Sequence, residues 1–319
     1  MRLATLLGED SPHVAVLAEL ADGPAWVAVA TAALELLGDE RCPDSLAGLL
    51  AREGPRLETA RVLVEGLRGQ EAPGRVRRWR PAEARFAPPV PRPGAFLDFY
   101  AFEGHVRASR ARRGLGMPQE WFAGPVYYRS NQRSFLGHRE EVWFPAGERM
   151  MDYEMELAAV LGAELESPTP EQAEAAIAGY CLLNDWSARA IQREVMKIGL
   201  GPSKAKDFGT SVGPWLVTAD EVGNLGAVEL VARVNDREWS RGSPAAMHWS
   251  WGQLLASAAA GVRFEPGDVF GSGTLPGGCG LEQDRFLEDG DVVELDGGEL
   301  FGVLAGTVRR RAVSTGGSR

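Results

Sequence analysis

The hexapeptide Asp152-Tyr153-Glu154-Met155-Glu156-Leu157 alternates acidic and hydrophobic residues. That is the two-residue period of a strand, with Tyr153, Met155 and Leu157 on one face and Asp152, Glu154 and Glu156 on the other. Side chains two apart on such a face are roughly 6.6 Å from each other. Buried together, the carboxylates repel one another and lose their hydration. Two arrangements suit the pattern: a solvated strand face, or a divalent cation held over Glu154 and Glu156. The second requires further acidic ligands from elsewhere in the chain.

The surrounding sequence is that of ordinary globular material. Of 319 residues, 45% are hydrophobic and 24% charged, enough for one large domain or a large and a small one. The net charge of -10 and the brevity of the basic cluster Arg75-Val76-Arg77-Arg78-Trp79-Arg80 argue against nucleic acid or an anionic membrane as partner. No apolar run approaches the ~20 residues that span a bilayer. The N-terminus lacks the apolar core of a signal peptide, so a cytoplasmic protein is expected. Three scattered cysteines, Cys42, Cys181 and Cys279, predict reduced and mostly buried thiols.

Residues 1–88 read as a small α/β module. Val14-Ala15-Val16-Leu17 and Ala25-Trp26-Val27-Ala28-Val29 flank the turn Asp22-Gly23-Pro24 as a hairpin, and helical patterns follow over 31–37, 43–52 and 57–67. His13 stands alone there, as a surface or turn residue. Pro88-Pro89-Val90-Pro91-Arg92-Pro93-Gly94 cannot hold a helix or an interior strand and marks a boundary, giving a second domain over 89–319. In that domain the pattern predicts a helix over 96–113. Asp98 and His105, seven residues apart, would share its face about 10 Å apart along the axis. Residues 168–180 read as an alanine-rich helix. A helical turn from Ser187 would bring Asp185, Arg189 and Gln192 together. Arg107, Arg110, Arg112 and Arg113 form a solvated or substrate-facing set. Beyond Lys206 come short strands with close turn signals, among them Asn235-Asp236, Pro266-Gly267 and Asp289-Gly290, which describe a β-roll or barrel with few helices. The fold class expected is therefore mixed α/β, mainly β. The tail 314–319 is expected to fray.

Five tracts in order resemble the fumarylacetoacetate hydrolase family. They are Asp98-Phe99-Tyr100 with His105; Glu154-x-Glu156; Asn184-Asp185-Trp186-Ser187-Ala188-Arg189; Lys206-x-Phe208-Gly209-Thr210; and Pro266-Gly267-Asp268 with Gly273-Thr274. The resemblance covers about residues 86–310. It implies a β-roll catalytic domain, a homodimer, and a divalent metal, typically Mg²⁺, held by Asp98, Glu154, Glu156 and Asp185. A donor set of carboxylates alone independently suits Mg²⁺, Ca²⁺ or Mn²⁺ over Zn²⁺. Four negative charges exceed one +2 ion, which makes Lys206 electrostatically sensible beside them. Asp152 lies outside the family pattern and is not assigned to the metal.

By the same resemblance, His105 paired with Glu282 activates a water. Arg189, Gln192 and Lys206 stabilise an oxyanion, and Tyr100, Tyr128 and Thr274 contact substrate. The implied activity is hydrolysis of a carbon–carbon bond in a 1,3-diketo acid of the acylpyruvate or fumarylacetoacetate kind, a small dicarbonyl carboxylate. The alternative is an isomerase, hydratase or decarboxylase acting on a 2-oxo-diene acid of aromatic catabolism. Ala190, Met196 and Asp207 depart from the family's usual residues and bear on the substrate more than on the metal.

Overall fold

The structure, a computed structural model, describes residues 1–51 and 57–312. Its frame is a 12-stranded sheet. At the centre lies the strand Ile177–Asp185, every residue of which is buried. It pairs antiparallel with Met155–Leu161 on one side and with Thr210–Thr218 on the other. A strand buried on both faces reads as an unbroken apolar run, and Ile177-Ala178-Gly179-Tyr180-Cys181-Leu182-Leu183 is one. Val269–Gly271 continues the sheet beyond Met155–Leu161, followed in parallel by Phe96–Phe99 and then by Tyr127–Arg129. The path runs open from Arg78–Trp79 to Tyr127–Arg129 without closing into a barrel.

The first 88 residues extend the opposite side of this sheet. Pro12–Leu20 and Gly23–Ala28 form the hairpin that the turn Asp22-Gly23-Pro24 predicts. Arg2–Leu7 pairs with Pro12–Leu20 and also with Thr210–Thr218, with Arg2 opposite Val217. Helices Val29–Leu37, Leu46–Leu50 and Glu58–Leu67 follow. Residue 52, at the end of the second expected helix, and the tail 314–319 lie outside the described residues. His13 is not a surface residue: it is buried, with Nδ1 2.5 Å from Asp44 Oδ2.

A second, five-stranded sheet is built from Arg237–Gly242, Leu230–Val234, Val292–Asp296, Val303–Arg310 and Glu140–Phe144. Its hairpin turns on Asn235 and Asp236, both at positive φ, as a two-residue turn between right-twisted strands requires. The main core lies between the sheets, where Trp186, Phe144, Leu182, Leu230 and Leu304 belong to one buried cluster.

Several local expectations give way to pairing. Residues 96–113 are not one helix: Phe96–Phe99 is a fully buried strand, and the helix is Glu103–Ala111. Asp98 and His105 therefore sit on different elements, not two turns apart on one face. Between two strand partners, Phe-Leu-Asp-Phe buries three apolar side chains, and tertiary context overrides helix propensity. The helix expected over 168–180 is only Pro170–Ala175, started by a Thr169/Gln172 capping box, before the chain enters the central strand. The acidic hexapeptide is also interrupted. Met151–Asp152 pairs with Ser187–Ala188, whereas Met155–Leu161 belongs to the large sheet.

Candidate active site

Asp98, Glu156 and Asp185 come from three strands of the large sheet. Asp98 lies opposite Gly271, Gly271 opposite Ala158, and Glu156 opposite Leu183 on the strand that ends at Asp185. Between Asp98 and Glu156 the sheet thus carries a glycine, and its missing side chain matters. A Cβ on Gly271 would stand 2.3 Å from Asp98 Oδ1 and 3.2 Å from Glu156 Oε2. The two carboxylates occupy that space. With Asp185 they present three oxygens all within 4.8 Å of one another.

None of these acids is on a solvated face: Asp98 is 3% exposed, Glu154 5%, Glu156 0% and Asp185 0%. That removes the first of the two arrangements open to the hexapeptide. Burial pushes the Asp98 and Glu156 carboxyls well above the usual carboxylate range, and the neighbouring acids, Asp185 for Asp98 and Asp98 for Glu156, push further. Asp185 is also raised by burial, against the pull of Lys206. The Gly273 N–H donates to Asp98 Oδ1 at 3.2 Å and to Glu156 Oε2 at 3.1 Å, and Thr274 Oγ1 lies 3.2 Å from Glu156 Oε1. Asp185 Oδ1 is buried with no hydrogen-bond partner among the described residues. A hard divalent cation fits this set: oxygen donors only, mutual repulsion to relieve, and a buried oxygen to satisfy.

Glu154 behaves differently from the other three. Burial raises its carboxyl, but Arg189, Lys206 and His105 outweigh burial and hold it well below the usual range. Arg189 Nη2 donates to Glu154 Oε1 at 2.7 Å, and Lys206 Nζ donates to Glu154 Oε2 and Asp185 Oδ2, both at 2.5 Å. The structure thus brings Asp98, Glu156 and Asp185 together as a group that could hold a metal ion, with Glu154 beside them in a cationic clamp. Burial lowers Lys206, but the charges of Asp185 and Glu154 more than compensate and keep it an ammonium. Tyr128 donates its hydroxyl to Asp185 Oδ2 at 2.5 Å, and burial followed by the Asp185 charge raises it well above its ordinary value.

His105 is buried on the helix Glu103–Ala111, with Nδ1 2.6 Å from Glu282 Oε1. The second Glu282 oxygen accepts from the Gly277 N–H at 3.0 Å. The Tyr100 ring stands edge-on to His105 at 5.4 Å between centroids, and its hydroxyl pairs with Ser109. Arg189 and Gln192 share the helix Arg189–Val195 and touch at 3.0 Å. Arg189 reaches Asp152 and Glu154 rather than Asp185, as the sequence spacing had suggested it would, because Asp185 ends a strand.

One cleft of about 1170 Å³ has Asp98, His105, Glu154, Glu156, Arg189 and Lys206 in its wall. Its lining also includes Arg110, Arg112 and Arg113, at and just past the end of the helix Glu103–Ala111, together with Arg193 and Lys197. The sequence reading passed over Glu148, whose buried carboxylate accepts from the Ala190 and Ile191 N–H groups at 3.2 Å and so caps the helix carrying Arg189. A glutamate forty residues away leaves no local signal of that role.

The family model described as the fumarylacetoacetate (FAA) hydrolase C-terminal domain matches residues 95–309, and the chain belongs to that family. A Burkholderia cenocepacia protein named "Putative hydrolase" is 33% identical over 189 residues, which are 58% of this chain and 64% of that protein. This chain therefore covers less than two thirds of that relative's length. Two solved structures share the fold. Maleylpyruvate hydrolase from Sphingobium sp. SYK-6 superposes with a TM-score of 0.71 at 22% identity, over 98% of this chain and 100% of that one. The 5-carboxymethyl-2-hydroxymuconate delta-isomerase from Mycobacterium smegmatis gives 0.68 at 23% identity, with the same coverage. No helix among the described residues is long and apolar enough to cross a membrane.

Proposed function

We propose that this protein hydrolyses a carbon–carbon bond in a 1,3-diketo acid of the acylpyruvate or fumarylacetoacetate kind. The observation that carries the reading is the His105–Glu282 pair at 2.6 Å, with His105 lining the same cleft as Asp98 and Glu156 of the acidic group. Those three carboxylates, with Glu154 adjacent, would hold a hard divalent ion, Mg²⁺ in this reading. When bound, such an ion supplies a Lewis acid toward substrate oxygens.

The chain's own groups divide the remaining work. With its Nδ1–H donated to Glu282, His105 presents Nε2 as the acceptor for a proton from water. The hydroxide attacks the carbonyl next to the bond that breaks. Glu282 stabilises the imidazolium formed at that moment, as the carboxylate of a catalytic triad does. Lys206, and Arg189 with Gln192, place cationic and amide donors on the side where the oxyanion develops. Each such donor contributes about 3 kcal/mol in comparable sites. Cleavage releases a carboxylic acid and an enolate, and the proton held on His105 is available to the departing carbon. Tyr100, Tyr128 and Thr274 line the cleft, where they would contact substrate.

The test is a panel of 2,4-dioxo acids supplied with Mg²⁺, with products resolved by chromatography. Equimolar pyruvate and a second carboxylic acid are expected from a 2,4-dioxo acid. An isomerised, hydrated or decarboxylated product from a 2-oxo-diene acid, with no cleavage of the panel, would replace this reading by the isomerase class.

A further inference from the structure

Asp152 is the acid of the opening hexapeptide that is bonded neither to the acidic group nor to Lys206. It is 0% exposed, yet its carboxylate is fully occupied. Oδ1 accepts from the N–H groups of Tyr153 at 2.9 Å and Gly280 at 2.8 Å. Oδ2 accepts from Arg189 Nε at 2.8 Å and from the Leu281 N–H at 3.0 Å. An ionised carboxylate offers about four acceptor positions. Here the donors that fill them come from three separate segments: the residue that follows Asp152, the helix Arg189–Val195 and the helix Gly280–Gln283. Gly280 allows this approach, since a Cβ there would lie 2.7 Å from Asp152 Oδ1 and 2.2 Å from Arg285 O.

The two helices so joined carry opposite halves of the site. Gly280–Gln283 bears Glu282, the partner of His105. Arg189–Val195 bears Arg189, whose remaining nitrogens reach Glu154 and Gln192. A helix of four residues has almost no stability of its own, so the direction of Glu282 depends on what grips its first turn. A buried, fully satisfied polar network is rigid in a way that two separate contacts are not.

We propose that Asp152 is a positioning residue: it locks the Arg189 guanidinium to the Glu282-bearing helix, and thereby fixes the His105–Glu282 pair relative to the cationic side of the cleft. The catalytic consequence rests on the hydrolytic reading above, whereas the positional claim does not.

The experiment uses the full chain and Asp152→Asn, which keeps the shape and one acceptor but turns an amide N–H₂ toward two donors. Displacements of about 1 Å at such sites lower rates about 100-fold. The expected result is therefore a kcat lower by about that factor, with KM and the calorimetric Mg²⁺ affinity within about threefold of the parent. Asp152→Asn combined with Glu282→Gln should be little slower than Glu282→Gln alone, because both act on one unit. A substrate-free arm follows the low-field Nδ1–H proton of His105 by NMR, assigned by its loss in His105→Ala. It should shift or broaden in Asp152→Asn. If Asp152→Asn does not fold, Asp152→Glu, which keeps the charge but moves the carboxylate by one methylene, should move the same proton and lower kcat to a smaller extent. An unmoved His105 signal overturns the proposal, as do fully multiplicative effects of the two substitutions or a loss of Mg²⁺ affinity that accounts for the lost rate. If the parent cleaves no dioxo acid, the hydrolytic reading falls while the NMR arm still decides the position of Asp152.

Discussion

Nδ1 of His105 lies 2.6 Å from Oε1 of Glu282, across 177 residues of sequence. The bond fixes which ring nitrogen is left to take a proton, so either partner can be removed and the loss read in turnover. His105→Ala should lower kcat by about 10²–10⁴, the usual worth of a general base. Glu282→Gln should lower it less, since the imidazole stays in place without its counter-charge. Both should retain Mg²⁺ affinity by calorimetry, because neither residue belongs to the candidate ligand group of Asp98, Glu156 and Asp185. A Glu282→Gln enzyme as fast as the parent removes the orienting role.

Asp98 and Glu156 repel each other across Gly271, and burial adds to the strain on both. Glu156→Gln removes one charge and keeps the shape. In chelator its melting temperature should be no lower than that of the parent, whereas the rise that Mg²⁺ gives the parent should disappear. That rise follows mass action, about 2.7 kcal/mol at one hundred times Kd. Burial and the neighbouring charges push the metal-free carboxyls upward, so protons compete with an ion for them and the parent's affinity should increase with pH. A Glu156→Gln variant stabilised by Mg²⁺ as strongly as the parent removes Glu156 from the ligand group.

Much of this site was legible through the family resemblance, which singles out the residues from their types and order. Acids in Glu154-x-Glu156 and Asn184-Asp185, a lysine at 206 and a histidine at 105 carry their chemistry wherever the chain puts them. Their arrangement was not legible, because it is set by pairing between strands remote in sequence. Phe96–Phe99 is a strand only because Val269–Gly271 and Tyr127–Arg129 flank it, and no local pattern contains those partners. The same holds for Gly271, whose importance is visible only once Asp98 and Glu156 close over it. Asp152 and Glu154 look alike in the hexapeptide. They differ in what faces them: backbone N–H groups and Arg189 for the first, Lys206 and Arg189 for the second.

Lys206 is buried and bonded to both Glu154 and Asp185. Breaking a buried ion pair by removing one partner costs about 3–5 kcal/mol, because the remaining charge is left uncompensated. Lys206→Met should lose stability of that order in chelator, measured by urea unfolding, and Mg²⁺ should restore part of it. Turnover should stay low even in the restored protein if Lys206 is the oxyanion donor of the proposed mechanism. Full recovery of kcat with Mg²⁺ would assign Lys206 to charge balance alone.

His138 gives the fold a pH dependence separate from the site. Burial, with the Arg139 charge beside it, lowers its imidazole to about 4. The neutral ring accepts the Ala305 N–H on Nδ1 at 3.2 Å and meets Phe86 edge-on. Protonation would turn that acceptor into a donor facing a donor. The folded value lies below the unfolded value of about 6.5, so the folded state binds fewer protons through this window. The contribution is fully present above pH 6.5 and is lost as pH falls toward 4. His138→Asn keeps a short acceptor for Ala305 but does not titrate. Urea unfolding at steps from pH 7.5 to 4.5 should show the parent losing stability more steeply than this variant, with the gap between them narrowing or reversing at the acid end. Parallel curves would mean that the ring titrates at an ordinary value in the folded protein.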